Sequence, residues 1–155
     1  MKLEEIMVKD VIRISPDDNT AGAAKRMREK RVGCLVVTIG QTIKGILTDR
    51  DLLNCLSEAH NPYQCRVSNH MTTPVIVEKP GEELLRAVEV MAQRRIKRLP
   101  VVIDGKIVGI VSFSDISRVM HEQAQSFWST WVSITSLARA QALHCRSPEN
   151  PASYH

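Results

Sequence analysis

The sequence predicts an α+β protein: two βαββα repeats packed sheet to sheet with pseudo-two-fold symmetry, followed by a C-terminal helical tail. Three observations predict it. Residues 7–52 reappear as residues 71–116 in one gapless register, offset by 64, with about 14 identities in 46 positions. Each copy alternates short β-branched runs with apolar residues at helical spacing. From Phe113 to about Leu143 there is neither proline nor glycine. The period exceeds that of a solenoid unit, so one folding motif is written twice.

The first strand of each repeat is expected at Val11-Ile12-Arg13-Ile14 and at Val75-Ile76-Val77, each closed by a proline. Pro16-Asp17-Asp18-Asn19 and Pro80-Gly81-Glu82-Glu83 then place a turn and acidic groups where a helix start leaves free amides. The helices carry Thr20, Ala23, Ala24 and Met27, then Leu84, Ala87, Val88 and Met91, on one apolar face. Basic residues close both, Lys25 to Arg31 and Arg94-Arg95. Leu35-Val36-Val37 and Leu99-Pro100-Val101-Val102-Ile103 read as buried strands. Turns at Gly40-Gln41 and Asp104-Gly105 fold them back onto Ile43–Leu47 and Ile107–Val111. A second helix starts after Thr48 and after Ser112. One such unit is too small for a good core, so the copies should bury their remaining faces against each other. The organisation is residues 1–64 for the first repeat with its connector, 65–120 for the second, and 121–155 for a helical extension with an irregular end.

Composition narrows the function. The chain is 43% hydrophobic but only 4% aromatic, so Val, Ile, Leu, Met and Ala build the core. A net charge of +4 permits an anionic partner without requiring one. The absence of an N-terminal hydrophobic run points away from secretion or a membrane span, and to the cytoplasm. The four cysteines, Cys34, Cys55, Cys65 and Cys145, lack CxxC spacing and read as reduced thiols rather than metal ligands. The five histidines, His60, His70, His121, His144 and His155, scatter over connector and tail and read as exposed residues, so no metal is expected. No P-loop, HExxH or paired nucleophile and base is present, which excludes the common catalytic signatures. Recognition of nucleic acid lacks a helix-turn-helix and exposed aromatic platforms.

Two matching heptapeptides remain. Gly45-Ile46-Leu47-Thr48-Asp49-Arg50-Asp51 and Gly109-Ile110-Val111-Ser112-Phe113-Ser114-Asp115 share glycine, two apolar residues, a hydroxyl, two variable residues and aspartate. Thr48 and Ser112 can cap the helices with Asp51 and Asp115 as capping-box partners. Alternatively, an acceptor-only carboxylate there can bind a vicinal diol such as a ribose, beside amides suited to phosphate. Repetition at the end of the same strand favours the second role.

With Arg98-Leu99-Pro100-Val101-Val102, these motifs make residues 1–120 resemble a tandem pair of CBS domains. This regulatory module is found in inosine monophosphate dehydrogenase, cystathionine β-synthase and the gamma subunit of AMP-activated protein kinase. The resemblance implies a non-enzymatic sensor that binds adenine nucleotides (AMP, ADP or ATP) in clefts between the repeats, with no other cofactor, and signals to a partner. It implies Thr48 and Asp51 in one cleft, Ser112 and Asp115 in the other, and Lys97 and Arg98 as phosphate ligands. Adenine would slot at the strand starts, by Ile12 and Val75, with Pro100 in the Arg98–Val102 motif and Arg50 beside Asp51. Lys97-Arg98 aligns with Gly33-Cys34 and Arg50 with Ser114, so the clefts should be unequal in charge. Isolated pairs of this kind resemble half of a disc completed by a second pair, which implies a homodimer. A nucleic-acid-binding protein and a purely structural assembly module with empty clefts are the alternatives.

The tail should be a helix of about 30 residues, near 45 Å. Met120, Ala124, Phe127, Trp131, Ile134 and Ala138 form its apolar stripe, widened by Trp128, which suits a second subunit or an unidentified protein partner. The Ser129–Ser136 stretch has weak helix propensity and threatens a break.

Overall fold

The computed structural model describes residues 1–144, with the side chains of residue 131 and residues 134–144 outside the description. Its strands are β1 (Arg13–Ile14), β2 (Cys34–Ile39), β3 (Thr42–Thr48), β4 (Arg98–Ile103) and β5 (Lys106–Ser112). Its helices are α1 (Thr20–Lys30), α2 (Asp49–Ser57), α3 (Leu84–Arg94) and α4 (Phe113–His144), with 3-10 turns at Leu3–Glu5 and Val67–Asn69. The five strands lie in the order β1-β2-β3-β5-β4. Two antiparallel hairpins, β2–β3 and β4–β5, meet at a single pair, Thr42 with Lys106. Both hairpins carry the same irregularity, after Val37 and after Val101, as expected of a duplicated motif.

Leu35, Val37 and Leu47 face Ala23 and Met27 of α1 in one core; Leu99, Val101 and Val111 face Ala87, Val90 and Met91 of α3 in the other. The intervening positions Val36 and Pro100 are fully buried, although neither belongs to its own repeat's core. They lie on the opposite strand face by alternation.

The cores are completed crosswise. Leu3, at the N-terminus, is buried in the second repeat's cluster; Val67, at the start of the second repeat, is buried in the first. The backbone follows the same exchange. The Met1 carbonyl accepts the Leu84 N–H at the start of α3 (3.0 Å), as the Cys65 carbonyl accepts that of Thr20 at the start of α1 (2.9 Å). Val8 pairs with Ile110 on β5, and Thr72 pairs with Ile46 on β3. Beside each pair, a methionine covers a glycine: a Cβ on Gly45 would lie 2.5 Å from Met71 Sδ, and one on Gly109 at 2.5 Å from Met7 Sδ. Only a residue without a side chain admits that approach.

Two local expectations change and one is met. The strand expected over residues 75–77 reduces to a bridge between Glu78 and Val101. In the first repeat the Val36 N–H donates to the Ile12 carbonyl at 3.0 Å. Its counterpart Pro100 has no N–H to give, so the parallel pairing loses a rung. The acidic cap also differs between helices. Asn19 Oδ1 accepts the Gly22 N–H at 2.7 Å, but Glu83 makes no side-chain cap on α3. Its carboxylate instead pairs with Lys2 and with the N-terminal ammonium, which hold it below the usual carboxylate range. Finally, α4 runs unbroken through the Ser/Thr stretch to His144. Ser129 Oγ, Thr130 Oγ1 and Ser133 Oγ donate to carbonyls three or four residues back, at 2.9 Å each, which satisfies the hydroxyls without leaving helical geometry.

Residues Met1–Ile116 form one compact unit and Ser117–His155 a second. Within the second, Met120, Phe127, Trp128 and Val132 are exposed. The irregular end expected over 147–151, and the side chains of Trp131, Ile134 and Ala138, lie outside the description. Among the described residues no helix is long and apolar enough to cross a membrane.

Candidate functional site

Both heptapeptides fold as capping boxes. Thr48 N–H and Oγ1–H donate to Asp51 Oδ2 at 2.7 and 2.8 Å, and Asp51 N–H donates back to Thr48 Oγ1 at 3.4 Å. At the second turn Ser112 N–H and Oγ–H donate to Asp115 Oδ2, and Asp115 N–H returns to Ser112 Oγ at 3.2 Å. The capping role is therefore real in both repeats. It occupies one oxygen of each carboxylate. Oδ1 of Asp51 and of Asp115 accepts no hydrogen bond from the described residues.

Around the first turn lies a cleft of about 580 Å³. Its floor is Ile46 and Thr48–Asp51, from β3 and the start of α2. One wall is Thr72, Pro74, Val75 and Ile76, carried there by the pairing of Thr72 with Ile46; the other is Arg95, Ile96, Lys97 and Arg98 from the second repeat. The structure thus brings together Thr48, Arg50, Asp51, Val75, Lys97 and Arg98. Asp51 and the basic pair come from different repeats.

The second loop is positioned by its backbone. Arg95 ends α3 in the left-handed region (φ 54°), and the Ile96 N–H returns to the Met91 carbonyl at 3.0 Å, which turns the chain sharply. The Lys97 carbonyl accepts the Phe113 N–H at 2.8 Å. Arg98 then reaches toward the matching loop of the first repeat: a Cβ on Gly33 would sit 2.8 Å from its Nη2. Gly33 leaves the guanidinium its space. Nearby Cys34 is buried, and that burial pushes its thiol up; the Arg98 charge opposes the shift and Asp49 adds to it.

Charge in the cleft is unbalanced. Arg50, Arg95, Lys97 and Arg98 line it, and none pairs with a carboxylate among the described residues. Asp49 and Asp51 are the acidic members, and one oxygen of each is held by local N–H groups.

Ile12, Pro100, Ser112 and Asp115 do not line this cleft. Ile12 packs against the first core and Pro100 is buried in β4. Ser112 and Asp115 occupy the reciprocal turn; across the repeat Phe113 and Ser114 correspond to Asp49 and Arg50, and Gly33-Cys34 to Lys97-Arg98. Arg95, Thr72 and Pro74 were not among the candidates from sequence. Arg95 was legible as a repeat identity with Arg31, but a helix-terminal role accounted for it equally well.

The profile described as "CBS domain" matches residues 3–58 and 67–122. The CBS domain-containing protein YhcV of Bacillus subtilis is 32% identical over 126 residues, covering 80% of this chain and 90% of YhcV. Inosine-5'-monophosphate dehydrogenase of Methanocaldococcus jannaschii is 34% identical over 117 residues, 74% of this chain but only 23% of that enzyme. The CBS domain pair of protein MJ0100, crystallised with 5-methylthioadenosine and S-adenosyl-L-methionine, superposes with a TM-score of 0.74 at 25% identity, covering 79% of this chain and 98% of that one.

Proposed function

Because the chain belongs to the CBS domain family, we propose that it is a non-enzymatic regulatory module whose Thr48–Asp51 cleft binds an adenine nucleotide and reports its occupancy to a partner. One observation carries this reading. Four cations without a carboxylate partner among the described residues, and a carboxylate with one oxygen unengaged by them, share a cleft of about 580 Å³, within the size range of small-ligand sites. In this reading Asp51 Oδ1 accepts from the ribose hydroxyls. The adenine lies between Ile46, Val75 and Ile76, and AMP, ADP or ATP directs its phosphates at Lys97, Arg98, Arg95 and Arg50. The adenosine-type ligands of the MJ0100 pair support the class of ligand. In this reading the reciprocal turn at Ser112 and Asp115, with Ile12, serves as the second binding position.

The module acts as a homodimer in this proposal. Leu53 and Leu56 of α2 and Leu85 of α3 are exposed apolar residues of the first unit, and Phe127 and Trp128 are exposed on the tail. Sedimentation should give twice the 17.4 kDa chain mass at micromolar concentration; a monomer there rejects the dimer. The buried free thiol of Cys34 suits a reducing compartment, so the proposed location is the cytoplasm.

Calorimetry with AMP, ADP, ATP, S-adenosylmethionine and NAD, beside single-stranded oligonucleotides, tests the reading. Adenine nucleotides should bind, and Asp51→Ala should weaken them about tenfold to a hundredfold, the loss of a paired hydrogen-bonding carboxylate of about 1–3 kcal/mol. Binding of oligonucleotides alone, or of nothing, replaces the sensor with a nucleic-acid binder or an assembly module. Unchanged affinity in the Asp51→Ala, Asp115→Ala double variant removes the ribose assignment.

A further inference from the structure

Cys55, His60, Cys65 and His70 recur at five-residue intervals from the end of α2 through the connector. Their spacing matches no CxxC or HxxxH signature, which is why the sequence predicts free thiols and exposed histidines. Folding gathers them. One donor atom from each, a sulfur or a ring nitrogen, lies within 4.8 Å of the other three. Cys65 Sγ is 2.7 Å from His70 Nε2 and 3.9 Å from His60 Nδ1, and the two imidazole centroids are 5.6 Å apart.

The scaffold beneath this cluster is hydrogen-bonded at every step. Cys55 is buried on α2 with its sulfur 3.6 Å from Thr20 Oγ1. The His60 N–H donates to the Cys55 carbonyl, the Cys65 N–H to the Asn61 carbonyl and the His70 N–H to the Val67 carbonyl. The Cys65 carbonyl in turn takes the Thr20 N–H that opens α1. Four soft or borderline donors are therefore held on three neighbouring backbone segments. Glu58, 3.4 Å from His60 Nδ1, is the carboxylate beside them.

We propose that Cys55, His60, Cys65 and His70 form a four-coordinate Cys2His2 site for a divalent cation of the zinc class. A tetrahedral zinc with bonds of about 2.3 Å to sulfur and about 2.0–2.1 Å to nitrogen sets its donors about 3.3–3.8 Å apart. The cluster needs only small side-chain adjustments to meet that spacing. Two thiolates and two neutral imidazoles balance the dication, and binding releases the two thiol protons to solvent. Thiolate and imidazole donors select this class over magnesium or calcium, which take oxygen ligands. The ion ties the end of α2 to the connector. His70 stands two residues before Thr72, which lines the cleft, so the metal braces one cleft wall. This site does not depend on nucleotide binding.

The test uses the full chain, reduced and freed of metal, titrated with cobalt(II) and then zinc(II). One cobalt per chain should bind with the intense visible bands of tetrahedral geometry and a thiolate-to-cobalt charge-transfer band, and one zinc should abolish both. His60→Ala, at an exposed position whose loss leaves the core intact, and Cys65→Ser should each weaken cobalt at least tenfold. His121→Ala, outside the cluster, should leave the titration unchanged. Absence of the charge-transfer band, or equal affinity in the parent, His60→Ala and Cys65→Ser chains, overturns the site. So does a Cys55–Cys65 disulfide found by mass in protein purified with zinc present and no added oxidant.

Discussion

The Thr48–Asp51 and Ser112–Asp115 turns are one backbone device in two electrostatic settings. Strand end, hydroxyl cap and returning carboxylate agree bond for bond. The surroundings do not. Arg50, Lys97 and Arg98, which line the first cleft, correspond across the repeat to Ser114, Gly33 and Cys34. The Thr48–Asp51 turn is faced by Arg95–Arg98 of the opposite repeat, so duplication preserved the frame while substitutions in one copy changed the cleft of the other. Local chemistry sets the cap, and the partner repeat supplies most of the charge.

The largest expected effect tests the exchange that builds both settings. Leu3→Ala removes a fully buried side chain from the second repeat's core, although Leu3 belongs to the first repeat in sequence. It should destabilise the protein by about 2–5 kcal/mol in urea titrations. Hydrogen exchange should accelerate in α3, β4 and β5 more than in β2 and β3; the opposite ranking refutes the crosswise packing. A smaller effect sharpens the difference between the clefts. Lys97→Ala and Arg98→Ala should each weaken ATP about fivefold at the Thr48–Asp51 cleft, roughly 1 kcal/mol for an exposed ionic contact, and leave adenosine unchanged. Equal losses for ATP and adenosine would mean these cations do not meet phosphate. The smallest effect tests what the turns share. Thr48→Ala and Ser112→Ala should each cost about 1 kcal/mol of stability through the lost cap, with matching falls in melting temperature. A cost confined to one of them would show that the two boxes are not equivalent.

Much of the frame was legible before folding because it repeats. The offset of 64 predicted the matching hairpins, helix starts and turns, and the unbroken Phe113–His144 helix followed from the lack of proline and glycine. Two errors were local. The β-branched run at 75–77 resembled a strand, but pairing depends on a donor that Pro100 lacks. Glu83 resembled a cap, but Lys2 and the N-terminal ammonium claimed its carboxylate. Both depended on what stood opposite, which a linear pattern does not record.

Periodicity, turn chemistry and capping residues are short-range signals, so the chain's order alone specified the elements, the duplication and the two hydroxyl–aspartate turns. Crosswise completion of the cores by Leu3 and Val67, the meeting of Asp51 with Arg95, Lys97 and Arg98, and the gathering of Cys55, His60, Cys65 and His70 arose only on packing. Burial rewards any apolar residue that fills a gap, whatever its distance along the chain. The carbonyls of Met1 and Cys65 reached α3 and α1 because those helix starts had free amides to satisfy. The cleft and the cysteine–histidine cluster stand where these exchanged segments cross.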